Sequence, residues 1–306
     1  MLDQAPIHLH VHSTYTLLGA TASVTALAAR AAEEGLTHLA LTDTNALYGA
    51  VAFQQACQKV NVTSILGICL TVQLPDSLAV ATPTDQLVLI ACGPAGYRSL
   101  CRLSSYIQGS PQRETIARQG VPWTMLKHEK DGLLCIAGGR HSPLDSWLRA
   151  DDRKVASTYI SQLAGVFDEQ LYLALEIQQP ADQEVAQQVV TWGARFGVPQ
   201  VAVQPIYCLD THERPRLRLL TAIDHNCRLE EVTPAQLPDG DDPAVALHWL
   251  SPAAMAERFA AFPDALAATQ TIATQCEPAL PDGHPIWPAL NLPADTTPEE
   301  ELARQA

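Results

Sequence analysis

Residues 7–203 alternate short aliphatic runs with alanine-rich stretches, and few architectures accommodate that rhythm. Segments 7–12, 36–42, 64–72, 86–92, 133–137, 170–177 and 199–203 read as strands. Segments 23–34, 46–60, 94–107, 152–167 and 181–196 read as helices between them, while 108–121, polar and rich in Gln and Arg, reads as a loop. A helix between two strands is the crossover that parallel neighbours require. The expected fold is therefore α/β, with parallel strands inside, helices outside, and about seven strand–helix units, enough to close a small barrel. Barrels of roughly 250 residues form one domain. The 306 residues are 47% hydrophobic but only 6% aromatic, so the expected core is large and aliphatic.

Beyond Leu209 the pattern becomes helical and punctuated by proline, with helices expected at 251–259 and 263–276. Residues 279–296 are proline-rich and read as a linker. Thr297-Pro298-Glu299-Glu300 then offers an N-cap, a proline at the first helical position and two acids in the first turn. The expected division is a domain over 1–278, comprising the barrel and a helical extension, followed by 279–306 as linker and helix start. So short a helix is marginal alone, which leads to the expectation of a longer parent protein.

The formal net charge is −14 at pH 7, whereas a nucleic-acid module normally carries a basic face that neutralises phosphates. Only short basic stretches such as Arg214–Arg218 occur, so weak DNA binding by this chain alone is expected. The eight cysteines include no C-x-x-C pair and read as reduced, mostly buried thiols, implying the cytoplasm. No basic segment leads into an apolar core at the N-terminus, and no apolar run is long enough to span a bilayer.

His8, His10 and His12 alternate along the first strand, and on a regular strand i, i+2 and i+4 share a face. Neutral imidazoles suit Zn, Mn or Fe, but surface histidines on an edge strand would show the same spacing. Asp43 tilts the balance. It follows Leu39-Ala40-Leu41-Thr42, at the carboxyl end of an expected parallel strand, where barrels collect functional residues. It could equally cap a helix beginning near Asn45. The candidate metal ligands are His10, His12 and Asp43, with His8, Cys69 and His141 as further candidates. Asp151-Asp152, Asp241-Asp242 and Asp224-His225 read as solvated polar groups.

At this point the motifs resemble a known family. His8-Leu9-His10-Val11-His12-Ser13 with Leu17-Leu18 resembles the opening of the PHP (polymerase and histidinol phosphatase) domain of bacterial polymerase alpha subunits. Leu41-Thr42-Asp43 with Leu47-Tyr48-Gly49-Ala50 is similar to its second motif. Gly96-Tyr97-Arg98 and Ser251-Pro252 through Pro263 are similar to later segments. The resemblance implies a distorted seven-stranded (β/α) barrel and, in active members, a cluster of Zn or Mn ions that supports phosphoester hydrolysis or 3′–5′ proofreading. It places His10, His12 and Asp43 at ligand positions. It also places Thr44, Cys69, Gln86, Gly139, Pro205 and Tyr207 where other ligands belong, and Gly19 where an acid is expected. The expected cofactor is therefore none, or one residual divalent metal such as Zn or Mn, and not a polynuclear cluster. The implied partners are the remainder of a polymerase alpha subunit and a proofreading exonuclease subunit, with DNA met only through the full polymerase.

Three functions follow as expectations. The first is a catalytically inactive module that braces a polymerase and docks an exonuclease. The second is an active metal-dependent phosphoesterase or 3′–5′ exonuclease built on His8, His10, His12 and Asp43. The third is a free-standing, protein-binding barrel.

Overall fold

A computed structural model describes residues 5–78, 84–281, 292 and 296–305. Six strands form one curled sheet in the order β1 (His38–Leu41), β2 (Thr63–Gln73), β3 (Thr84–Ala91), β4 (Leu133–Gly138), β5 (Leu171–Leu175) and β6 (Gln200–Ala202). The helices are α1 (Val24–Glu33), α2 (Ala50–Lys59), α3 (Pro94–Gln108), α4 (Arg113–Gln119), α5 (Trp123–His128), α6 (Pro143–Arg149), α7 (Arg153–Phe167), α8 (Asp182–Phe196), α9 (Arg214–Asp224), α10 (Pro252–Arg258), α11 (Pro263–Gln275) and α12 (Pro298–Gln305).

The seventh stave is the extended segment 7–12, which is hydrogen-bonded on both sides and joins the two edges of the sheet. On one side the Ala40 amide donates to the His8 carbonyl (3.1 Å) and the Thr42 amide to that of Val11 (2.8 Å). On the other, the Ile206 amide donates to His10 (3.0 Å) and the His12 amide to Ile206 (2.8 Å). The result is the distorted α/β barrel that the alternation implies.

Two expectations are corrected. The strands are not all parallel: β3 runs antiparallel to both β2 and β4, while β1–β2, β4–β5 and β5–β6 are parallel. The sequence has no helix between 72 and 86, and without a crossover helix the neighbour is free to return antiparallel. The stretch 108–121 is not all loop, since α4 occupies part of it, and α5 and α6 are further helices that the pattern did not reveal. Each is short, and α4 buries no residue, so the periodic apolar signal is missing.

Alternation along the strands divides the core into two layers. Leu9, Ala40, Ile65, Val88, Ile136 and Val201 fill the barrel. Leu39, Leu41, Leu87 and Leu89 point outward against Leu27, Phe53, Leu103 and Leu163 of the helices. Each fully buried Leu or Ile contributes about 1.5–3 kcal/mol, and the sum of such side chains makes the core aliphatic as composition implies. Local signals set the helix ends. Ser23 accepts the Ala26 amide at 3.2 Å to start α1, and Pro94 opens α3. Gly96 is required at the start of α3, because a β-carbon there would collide with the Gly132 carbonyl oxygen.

One end of the barrel is sealed by α11, whose Ile272 and Ala273 enter the inner cluster and whose Thr269 hydroxyl accepts the Ile7 amide at 3.1 Å. Thr297 and Glu300 cap α12 reciprocally, at 3.2 and 3.0 Å, as the sequence suggests. The expected linker at 279–296 falls largely outside the described residues. Among the described residues, no helix is long and apolar enough to cross a membrane.

Candidate metal centre at the barrel mouth

The mouth is the end opposite α11, and its geometry begins with a register slip in segment 7–12. Ala40 bonds His8, yet Thr42, two residues on, bonds Val11, three residues on. The extra residue is a bulge, and a one-residue slip reverses which face each side chain takes. The expectation that three histidines share a face is thereby corrected. Leu9 joins the inner cluster and Val11 the outer one. His8 points away from the mouth, donating Nε2–H to the Leu250 carbonyl (2.9 Å) with its ring edge-on to Trp249 (4.4 Å). Its Nδ1 is buried without a partner, and burial lowers its pKa to about 4.

His10 and His12 remain together, with their Nε2 atoms 3.0 Å apart. The Cys69 sulfur completes a trio whose ligand atoms all lie within 4.8 Å of one another. Burial lowers the His10 pKa to about 4 and drives that of His12 well below its ordinary value, with the neighbouring His10 adding to the effect. Both rings are neutral near pH 7 and keep lone pairs. The Cys69 thiol is pushed up to about 12 by burial, with the Asp85 charge adding to it, so only a bound cation would draw off its proton.

Asp43 is engaged by the turn that follows the first strand. Its Oδ1 accepts the Ser13 amide (2.6 Å) and the Thr16 hydroxyl (2.8 Å), and its Oδ2 accepts the Ser13 hydroxyl (2.9 Å). These bonds fold the 13–16 turn over the mouth. Burial raises the Asp43 pKa while the hydrogen bonds oppose the rise. It does not cap a helix, because α2 begins only at Ala50 and its cap, Gly49, has no side chain to bond with. The Thr16 hydroxyl proton is committed to Asp43, so its oxygen is free to accept Nδ1–H of His12 at 3.2 Å. With Nδ1 protonated, the His12 Nε2 accepts Nε2–H of His10, and the Thr44 hydroxyl also lies 3.4 Å from Nδ1. Tyr207 stacks on the His12 ring at 4.2 Å and 12°.

The facing wall is built otherwise. Gln86, Gly139, Pro205 and Tyr207 line a cavity of about 60 Å³ beside His10, together with His141 and Glu176. Gly138 and Gly139, at φ +106° and +101°, turn the chain after β4 through a conformation that favours glycine. His141 is exposed and donates Nε2–H to the Pro238 carbonyl (2.7 Å), which holds it to the 238 loop. Glu176 was missed by the sequence reading. It stands just past β5, as Asp43 stands just past β1, so the rule that singled out Asp43 also finds it. Its Oε2 accepts the Arg140 amide (2.9 Å) and its Oε1 the Gln178 side chain (3.2 Å), while burial raises its pKa. Behind this wall, buried Asp85 accepts the Tyr159 hydroxyl (2.6 Å), and burial lifts it to about 6. Thr44 and the 15–19 turn border a wider groove of about 860 Å³ above the mouth.

Three donors in this arrangement fit one borderline ion such as Zn, which accepts imidazole and thiolate with a fourth position open. A two-metal centre needs ligands for two ions about 3.5–4 Å apart, and no second convergent group occurs among the described residues.

The chain matches the PHP domain family over residues 8–180. It is 27% identical over 297 residues to the DNA polymerase III subunit alpha of Bacillus subtilis, covering 97% of this chain and 25% of that protein. It is 28% identical over 311 residues to the error-prone DNA polymerase of Symbiobacterium thermophilum, covering 97% of this chain and 27% of that protein. The chain thus spans about a quarter of the length of these relatives. Among solved structures, an amidohydrolase from Chromobacterium violaceum superposes with a TM-score of 0.46 at 13% identity, over 67% of this chain and 88% of that one.

Proposed function

This chain belongs to the PHP domain family, and from that premise we propose that it serves as the N-terminal module of a polymerase alpha-type protein in the cytoplasm, bracing and connecting rather than hydrolysing. The domain proper is 1–278, and 279–306 leads toward the remainder of the polymerase. DNA is met through that polymerase, and the barrel offers a docking platform for a proofreading exonuclease subunit. The observation that carries the reading is the far wall of the mouth. Gln86, Gly139, Pro205 and Tyr207 offer no strong ligand, and Glu176 is already engaged by Arg140 and Gln178.

At most one divalent ion is held, by His10, His12 and Cys69. When bound, such an ion supplies Lewis acidity at a single point. The protein's own groups do the rest. Asp43 holds Thr16, Thr16 holds Nδ1 of His12, and Tyr207 packs against the ring, so Nε2 is presented in one orientation. The loss of even an orienting partner weakens metal sites about 10–100-fold, and here whole ligands are missing.

The convergence of His10, His12 and Cys69 favours one competing reading, an active phosphoesterase. A single assay separates the two. The chain is incubated with bis(p-nitrophenyl) phosphate and with 3′-labelled single-stranded DNA, in Zn and in Mn. The expected outcome is no turnover above that of a His10→Ala/His12→Ala variant. Turnover that vanishes in the variant establishes the phosphoesterase instead.

A further inference from the structure

At the end of the barrel opposite the mouth, two half-buried cysteines lie on neighbouring chains: Cys92, immediately after β3, and Cys276, which caps α11. Both pack against the inner apolar cluster. The chains on which they sit run side by side. A β-carbon at Gly93 would lie 3.8 Å from Cβ of Glu277, the residue after Cys276. Disulfides join residues whose β-carbons lie about 3.5–4.5 Å apart, and Cys92 and Cys276 sit one residue back from this close approach, on the same two chains. Cys92 and Gln275 line the same open cavity of about 520 Å³, together with Lys130 and Gln170, so a small reagent can reach Cys92. The other six cysteines differ: Cys57, Cys69, Cys135 and Cys208 are buried, Cys101 lies on α3, and Cys227 lies just beyond the end of α9.

We propose that Cys92 and Cys276 are a reversible thiol-oxidation site, which a peroxide converts to a disulfide that staples the end of α11 to β3. Cys92 is the attacking sulfur, because the adjacent Cys276 thiol favours its thiolate and holds it below its ordinary pKa. The thiolate attacks one peroxide oxygen, the O–O bond breaks, and the departing oxygen leaves as water, giving the sulfenic acid of Cys92. The Cys276 sulfur, surrendering its proton, then attacks that sulfur. The S–S bond forms, the S–O bond breaks, and a second water leaves. The pair has lost two electrons and one peroxide has been reduced. The consequence is mechanical: α11 seals the barrel and precedes the chain that leads to residue 279 and beyond, so the staple fixes that exit to the sheet.

The test uses the whole chain with hydrogen peroxide at a few equivalents, followed by denaturation, thiol counting and peptide mapping. The titratable thiols should fall from eight to six, with the Cys92 and Cys276 peptides joined and a thiol reductant restoring all eight. The oxidised form should melt higher by about 5 °C, because the bridge closes a long loop. In Cys276→Ser the sulfenic acid of Cys92 should accumulate and be trapped by a dione reagent, while Cys92→Ser should keep its remaining thiols under the same treatment. A count that stays at eight, or an equal loss of thiols in the Cys92→Ser/Cys276→Ser variant, overturns the proposal.

Discussion

The two walls of the barrel mouth carry comparable numbers of polar groups and use them in opposite ways. On the His12 side, Asp43, Thr16 and His12 form a hydrogen-bonded chain that ends on the His12 Nε2, which accepts Nε2–H of His10. On the Glu176 side the carboxylate is closed by an amide and a glutamine, and the neighbouring positions are Gln86, Gly139, Pro205 and Tyr207. A ligand set is therefore more than a list of residue types. One wall links its groups into a chain that reaches the paired imidazoles, and the other closes its carboxylate with an amide and a glutamine.

The strongest way to break this comparison is to remove the two carboxylates. Asp43→Ala strands the Ser13 amide, the Ser13 hydroxyl and the Thr16 hydroxyl in a buried site, and the expected loss is about 3–5 kcal/mol. Glu176→Ala deprives one amide and one side-chain amide, so about 1–2 kcal/mol is expected. Urea denaturation of both variants checks the order, and equal losses would show that the walls are not different in kind.

Asp85 tests what lies behind the far wall. Its folded pKa of about 6 exceeds the ordinary 3.8, so its contribution to stability is fully present below 3.8 and is lost as pH rises through 6. Tyr159, Cys69 and Cys135 are the titratable groups around it, and all are protonated in this window. Asp85→Asn should gain up to about 3 kcal/mol relative to wild type between pH 4 and pH 7. Thermal midpoints across that range give the answer, and a parallel pH profile for the two proteins would show that Asp85 is ionised without penalty.

How much of this was legible in the sequence depended on the length of the signal. The alternation over residues 7–203 disclosed the barrel, because period-2 and period-3.6 patterns extend over many residues. Helices α4, α5 and α6 were hidden by their shortness, and the antiparallel β3 by an alternation that had lapsed between 72 and 86. At the site, His10, His12 and Cys69 were legible as residue types, and the structure brings them together. The bulge that turns His8 away was not legible, because it depends on which carbonyl Thr42 finds. The destinations of the Asp43 lone pairs were equally invisible, since a strand-end carboxylate bonded to a turn reads the same as one bonded to a metal.

A smaller effect sharpens the comparison on the wired side. Thr16→Val cuts the link between Asp43 and His12, with about 1–2 kcal/mol of stability lost and affinity for added Zn about 10–100-fold weaker. Thr16→Ser should restore both, as isothermal titration would reveal. The smallest change expected is Tyr207→Phe, which keeps the stack on His12 and should stay within about 0.5 kcal/mol of wild type. A large loss there would mean that the hydroxyl, and not the ring, supports the site.

The most direct measurement is a cobalt(II) titration followed by absorption, because thiolate ligation gives an intense near-ultraviolet band and because Co²⁺ occupies Zn sites. The expected titration stops at one equivalent, with a thiolate band that disappears in Cys69→Ser. Two or more equivalents, with spectra of oxygen-ligated ions that survive in Cys69→Ser, would mean that the far wall holds metal after all.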